Sequence, residues 1–454
     1  MDANQTAIDE FAGAFGGRVL RSGDVGYDET RRVHNGLIDK RPAIIACCSG
    51  TADVVAALAL GRRLGLDIAV RGGGHNVAGK ATVDGGMMID LAPMTAVLVD
   101  AKARRARVQG GATWAHVNRE TQLHGLAVTG GVISSTGVAG LTLGGGLGWL
   151  MAKHGLALDN LLSVEVVTAN GEVLVASADQ HPDLFWGLRG GGGNFGIATT
   201  FEFALHPVGP MVVGGLVAHP FPKAKEVLRF YRDTTAGLGD DMVVFGALTH
   251  APDGSGAKVA AMLAAHFGDP AAATAAMQPL KSFGPPVMDV IGPLPYEALN
   301  AMLDGGSPRG ALNYWKASFL TELSDGAIDT MIECFARCPT PMGGLLLEHL
   351  HGQVARVAPD TTAFAHRRDG FNILILGQWQ DPAETAVCTA WVRATYDTLR
   401  PFMASGRYVN YLADDEGGDP VRAAYGANYP RLQAVKAKYD PGNVFHLNQN
   451  IQPG

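Results

Sequence analysis

The sequence predicts an α+β chain of two domains, and three observations carry the prediction. Its 454 residues exceed the ~250 to 300 over which a single hydrophobic core keeps growing, so two cores of useful size are expected. Strands of period two and helices of period 3.6 mix along the chain, and the pattern shifts where Pro207, Pro210, Pro220 and Pro222 cluster. The 60 glycines concentrate in loops between apolar segments rather than in a low-complexity tract, as in a protein that wraps a ligand. The predicted division is 1–207, then 208–405 as an antiparallel sheet covered by helices, then 406–454 returning to the first domain.

The elements follow in order. A short helix is expected over 7–17 and a buried strand over Ala43–Cys47. Thr51 is the expected N-cap of a helix whose apolar face is Val54, Ala57, Leu58, Gly61 and Leu64. The strand Asp67–Val70 runs straight into Arg71-Gly72-Gly73-Gly74-His75-Asn76. Further strands are expected at Met87–Leu91, Ala96–Val99 and Arg105–Gln109, then a helix Trp114–His124 stopped by Gly125. Val164–Val175 reads as a hairpin turning at Asn170-Gly171, and Thr199–Leu205 continues the β pattern. In the second domain, Lys223–Thr234 and Ala271–Leu280 read as helices, and Met242–His250, Val259–Phe267, Gly344–Gly352 and Phe371–Trp379 as strands. A helix through Leu432, Val435, Lys436 and Tyr439 stops at Asp440-Pro441.

Composition excludes several function classes. A net charge of −7 without a basic block disfavours a nucleic-acid partner. Five cysteines, with Cys47 and Cys48 adjacent and Cys334 and Cys338 lacking a second pair, show no metal-ligand spacing and read as buried thiols in a reducing compartment. No basic-then-apolar leader opens the chain, and no apolar run approaches the ~18 residues of a membrane span. The expectation is a cytoplasmic protein, a monomer or homodimer, with no membrane or metal.

Three glycine-dense segments, 72–79, 137–148 and 190–196, can surround one extended ligand, because glycine lets backbone amides approach closely. None has the framing of a dinucleotide Rossmann site, G-x-G-x-x-G between strand and helix with an acid about 20 residues on. Gly144-Gly145-Gly146-Leu147-Gly148-Trp149 follows a different rule, and no phosphate-loop Gly-Lys-Ser/Thr is present. Nicotinamide binding is disfavoured.

Six motifs taken together, Asn35 to Pro42, Arg71 to Gly79, Gly137 to Gly148, Lys153 to Asn160, Phe185 to Gly196 and Lys438 to Asn443, resemble the covalent-flavin oxidases of the vanillyl-alcohol oxidase fold. The likeness is to the berberine-bridge-like branch, on its hydroxynicotine-oxidase side. It implies FAD as cofactor, a first domain completed by the C-terminal segment, and a second-domain sheet roofing the flavin. It also implies a covalent flavin link through His75. Carried over residue by residue, the flavin contacts fall on Arg71, Gly72, Gly73, Gly74, Asn76 and Gly79, then Gly131, Thr136, Gly137, Gly140, Leu141, Gly145, Gly146, Gly148 and Trp149. They continue at Gly155, Asp159, Asn160, Gly193, Asn194, Gly196, Ile197, Asn448 and Asn450. Where many relatives carry a second, cysteinyl link this chain has Ile133, so a single link is expected.

The resemblance also implies the reaction: hydride transfer from a carbon bearing OH or NH, with loss of the O–H or N–H proton to a base or to water. Tyr408-Val409-Asn410-Tyr411 resembles the family's base motif, with Tyr411 as the base. As a strand it would put Tyr411 and Val409 on one face and Tyr408 and Asn410 on the other. In Glu348-His349-Leu350-His351, period two sets His349 and His351 opposite Glu348; the two histidines read as a polar pocket wall or as satisfied core residues, and with Tyr408 and Tyr411 they make up the candidate catalytic set. Tyr314, Trp315 and Lys316 can line the pocket or the core, His366-Arg367-Arg368 reads as a structural turn, and His34, His116, His124, His154 and His446 take no chemical role. The expected function is an oxidase of a small alcohol, sugar, cyclic amine or specialised metabolite, reoxidised by O2 with release of H2O2. Alternatives are oxidative cyclisation or desaturation, a dehydrogenase using another acceptor, or a flavin-holding protein without turnover.

Overall fold

Short apolar runs pair into three large sheets, beside one two-stranded pairing of Leu126–Ala127 with His206–Pro207. The computed structural model describes residues 3–415 and 417–454; Met1 and Asp2, part of the leader reading, lie outside them. The first sheet has the order Arg18–Leu20, Ile44–Cys47, Met87–Asp90, Ile68–Arg71. Its last three strands pair in parallel, which needs a crossover, and the helix Thr51–Arg63 supplies it. A five-stranded antiparallel sheet follows, in the order Val97–Asp100, Arg105–Gln109, Ile197–Ala204, Leu161–Val167, Val173–Ser177.

The third sheet has eight strands, all antiparallel. Its long strands run in the order Met211–Pro220, Lys258–His266, Met242–His250, Gly344–Leu350, Gly370–Trp379 and, at the edge, Leu312–Phe319. Helices Ala224–Thr235, Pro270–Ser282, Asp325–Ala336 and Thr385–Leu399 cover one face. Leu345, Leu347, Ile373 and Ile375 pack there with Val227, Met277, Ile328 and Val392. Because side chains alternate along a strand, Leu346, Glu348, Leu374 and Leu376 fall on the other face, which roofs a cavity.

The C-terminal helix Tyr429–Tyr439 packs back on the glycine-loop region. Its anchor is Lys436, fully buried, whose ammonium donates to Asp440 Oδ2 at 2.7 Å, Asn194 O at 2.8 Å and Phe445 O at 3.0 Å. All three lysine donors thus have partners, the condition for burying this charge without a large penalty.

Several elements differ from the sequence reading. The first helix runs Ala3–Ala14 rather than 7–17. Thr51 opens its helix behind an extended Gly50 instead of capping it, because its hydroxyl is used elsewhere, donating to Glu165 Oε1 at 2.7 Å. The hairpin turn spans Thr168–Gly171, closed by a 2.9 Å hydrogen bond from Gly171 N to Thr168 O, with Gly171 at φ +85°. Val409–Tyr411 is a 3-10 turn and not a strand, so period-two alternation does not apply to its tyrosines. Among the described residues no helix is long and apolar enough to cross a membrane.

Candidate active site

Between the glycine loops and the eight-stranded sheet lies a cavity of about 980 Å³, at the upper end of the range for ligand pockets. The strand Ile68–Arg71 delivers Gly72, Gly73, Gly74, His75 and Asn76 to its wall, and Gly131, Thr136, Gly137, Gly140 and Leu141 face them. A Cβ on Gly73 would collide with the backbone of Gly137, and one on Gly137 with Gly73. The two loops therefore meet backbone to backbone, which only glycine permits. Gly193, Asn194, Gly196, Ile197 and Asn448 line the far end, with Gln449 beside them. Asn448 Nδ2 donates to Gly193 O at 2.8 Å, and Asn194 accepts from Ile451 N at 3.0 Å, so side-chain amides tie the C-terminal segment to the third loop. A long, glycine-walled cleft of this size fits an extended dinucleotide such as FAD.

His75 stands on the cavity wall. Its Nε2 meets Ser135 Oγ at 2.9 Å, and its ring stacks on His34 at 3.8 Å; His34 Nε2 in turn meets Ser307 Oγ at 3.2 Å. Burial, reinforced by His34 and Arg309, pulls the His75 pKa down to about 3. The imidazole is neutral, and its Nε2 is engaged by Ser135. His34, which has no chemical role by sequence, is thus its stacking partner.

Other residues expected at the flavin serve the frame. Arg71 is buried and pairs with Asp90, Nε to Oδ1 at 2.7 Å, facing away from the cavity. Gly79, at φ +69°, packs on Ile38. Gly145, Gly146 and Gly148 form a turn behind the wall, with Gly146 N donating to Tyr408 Oη at 2.9 Å, and Trp149 packs on Phe245 at 5.0 Å. A Cβ on Gly155 would meet Asp159. Asp159 is taken by the Arg367 guanidinium, two contacts of 2.7 Å, and Asn160 by the carbonyls of His154 and Leu156. Asn450 is likewise absent from the lining. The five cysteines are free and buried, and none lines the cavity, whereas Ile133 does.

The ionisable centre under the roof is Glu348. It is buried, accepts from Asn372 Nδ2 at 2.7 Å and from the Tyr411 hydroxyl at 3.1 Å, and lines the cavity with Tyr411, Tyr408 and Trp315. Burial lifts its pKa to about 7, partly offset by those two hydrogen bonds. Burial also holds Tyr411 well above the ordinary 10, and the Glu348 charge adds to the effect. Tyr411 is thus held as the phenol, and the adjacent Glu348 charge opposes its phenolate. Tyr408, pushed up to about 12 by burial, accepts from Gly146 N and from Asn410 Nδ2 at 2.8 Å. Its ring meets that of Tyr411 at 4.9 Å, so the 3-10 turn brings together two tyrosines that strand geometry would separate.

His349 and His351 are not in this cavity. They lie on the opposite face of the sheet, stacked at 4.7 Å, with His349 Nε2 meeting Asp369 Oδ1 at 3.0 Å. His349 lines a separate, smaller cleft with Arg232 and Phe371. Of the Tyr314-Trp315-Lys316 run only Trp315 lines the cavity; Tyr314 and Lys316 bond Asp415 at 2.6 and 3.2 Å. Sequence reasoning passed over Glu348, Asn372, Ser135 and His34. For Glu348 the available signal was the one acid in the strand Gly344–Leu350, on the face opposite His349.

Comparison with known proteins agrees with this geometry. A family model described as FAD binding domain matches residues 42–177, and one described as berberine and berberine like matches 407–452. An FAD-linked oxidoreductase of Dictyostelium discoideum is 30% identical, covering 100% of this chain and 99% of its own. The (R)-6-hydroxynicotine oxidase of Paenarthrobacter nicotinovorans is 31% identical over 96% of this chain and 97% of its own. The crystal structure of 6-hydroxy-D-nicotine oxidase from Arthrobacter nicotinovorans superposes with a TM-score of 0.89 at 28% identity, covering 97% of this chain and 99% of that one.

Proposed function

Because the chain belongs to the FAD-linked oxidoreductases of the berberine-bridge-like family, with their vanillyl-alcohol-oxidase-type fold, we propose that it is an oxidase acting on a C–H bond beside an OH or NH, with Glu348 as general base. The observation that carries the reading is the Glu348–Tyr411 pair, buried in a glycine-walled cavity and poised near neutrality.

FAD, when bound, supplies a two-electron acceptor for the substrate's hydride, and O2 then takes the electrons as H2O2. The chain's own residues would hold the cofactor and manage the proton. Gly72–Gly74, Gly137, Gly140, Gly193 and Asn448 would cradle it, and His75 would attach it through one covalent bond, Ile133 standing where a second link would need sulfur. Glu348, ionised above about pH 7, would take the substrate's O–H or N–H proton as a C=O or C=N bond forms. A general base with its pKa near the working pH is well matched to that task. Tyr411 donates to Glu348 Oε1 and Asn372 to Oε2, which orients the carboxylate. Tyr408 holds the Gly146 turn and serves as support.

The test is peroxide release on a panel of alcohols and cyclic amines by wild type and Glu348→Gln. Loss of activity with retained flavin absorbance is expected; a fully active variant would remove Glu348 from the mechanism.

A further inference from the structure

The roof of the cavity limits what can be oxidised under it. Leu216, Val259, Leu263, Leu346, Leu374 and Leu376 face the cavity from four strands. Leu346, Leu376 and Trp315 are half-buried, so they still present apolar surface to it. Polar groups on this face stand at its two ends, Glu348 at one and Thr249 and Gln378 at the other. Gln378 already donates to Gly306 O at 2.9 Å, and His250 turns its ring onto Phe335 at 5.2 Å.

Register supplies the length. Glu348 pairs with Phe245, and Thr249 lies four residues further along that strand, so the apolar stretch of roof between them is roughly 13 Å at ~3.3 Å per residue. It ends at the loop Ala251, Pro252, Gly254 and Gly256, with Met342 across from it. Charge narrows the class again: the lysine on the lining, Lys80, is paired with Asp414 at 2.5 Å, and among the described residues no arginine lines the cavity.

We propose that the substrate is an elongated lipophilic alcohol or amine, its reacting OH or NH at Glu348 and its apolar body laid along the leucine roof toward the Thr249 end. This rests on the reading of Glu348 as the base, which marks the reacting end. An oligosaccharide would press its hydroxyls on leucine side chains and lose hydrogen bonds to water without replacement. A carboxylate would meet Glu348 with no cation to receive it.

The experiment titrates the holoenzyme with 2-methylalkan-2-ols of increasing chain length, following flavin absorbance. Their carbinol carbon bears no hydrogen, so binding is read without turnover. Kd should fall about fourfold per added methylene, the ~0.8 kcal/mol of one buried CH2, until the chain reaches the mouth, while cellobiose should leave the spectrum unchanged. Leu376→Asn should flatten the gain for the longer members. A Kd independent of length, or tighter binding of cellobiose, would overturn the proposal, and the wild-type series alone suffices to show either. A length-dependent series together with a fully active Glu348→Gln would instead refute the base assignment and leave the lipophilic class standing.

Discussion

Replacing Glu348 by glutamine should make the protein more stable and less active, with both effects governed by pH. An ordinary glutamate titrates near 4.5, and burial brings Glu348 to about 7. At ~1.36 kcal/mol per pH unit, that interval corresponds to about 3 kcal/mol. The sign follows from which state binds the proton more tightly. The folded pKa is raised, so the favourable contribution of Glu348 is fully present below pH 4.5 and is lost as pH rises through 7. Wild type therefore carries the cost of a buried carboxylate above neutrality. Glutamine, of the same shape, has no charge to desolvate, and its amide can still accept from Asn372 and meet Tyr411. With an unfolding entropy of ~2.1 cal/mol/K per residue over 454 residues, 3 kcal/mol is a Tm difference of about 3 °C. Melting curves of both holoproteins should nearly coincide at pH 4.5 and separate by that amount, variant higher, at pH 8. Activity should move the opposite way: kcat/KM of wild type should rise through an apparent pKa near 7, and the variant should lose that limb together with ~10²- to 10⁴-fold in rate. A Tm difference that stays constant across pH would refute the reasoning, since a packing change does not titrate.

Four further outcomes are expected. Tyr411→Phe removes a hydrogen bond that lowers the Glu348 pKa, so the acid limb of the kcat/KM profile should move to higher pH; a shift downward would contradict the assigned geometry. After acid precipitation, flavin should stay with wild type and leave His75→Ala, while Ser135→Ala, which frees Nε2, should give incomplete attachment by intact mass. Lys436→Met strands Asp440, with Tm expected to fall by the equivalent of ~3 to 5 kcal/mol for a broken buried pair. His349→Gln, on the far face of the sheet, should leave the pH profile of kcat/KM unmoved.

What the sequence determined by itself was whatever depends on neighbours along the chain. Glycine runs announce where backbone must approach backbone, as Gly73 and Gly137 do. Alternation placed Glu348 and His349 on opposite faces of one strand, because the side-chain period of a strand is two. The order of six motifs made the fold and the cofactor legible. The tertiary structure decided which face of that strand meets the cavity, since this depends on which layer packs against each side: four helices cover Leu345 and Leu347, so Glu348 and not the histidines reaches the site. It also decided that Tyr408 and Tyr411 converge, through a 3-10 turn that local pattern read as a strand. And it set the protonation of the site, because desolvation comes from atoms distant in sequence: a glutamate brought to about 7 and a tyrosine held protonated are properties of the cavity wall.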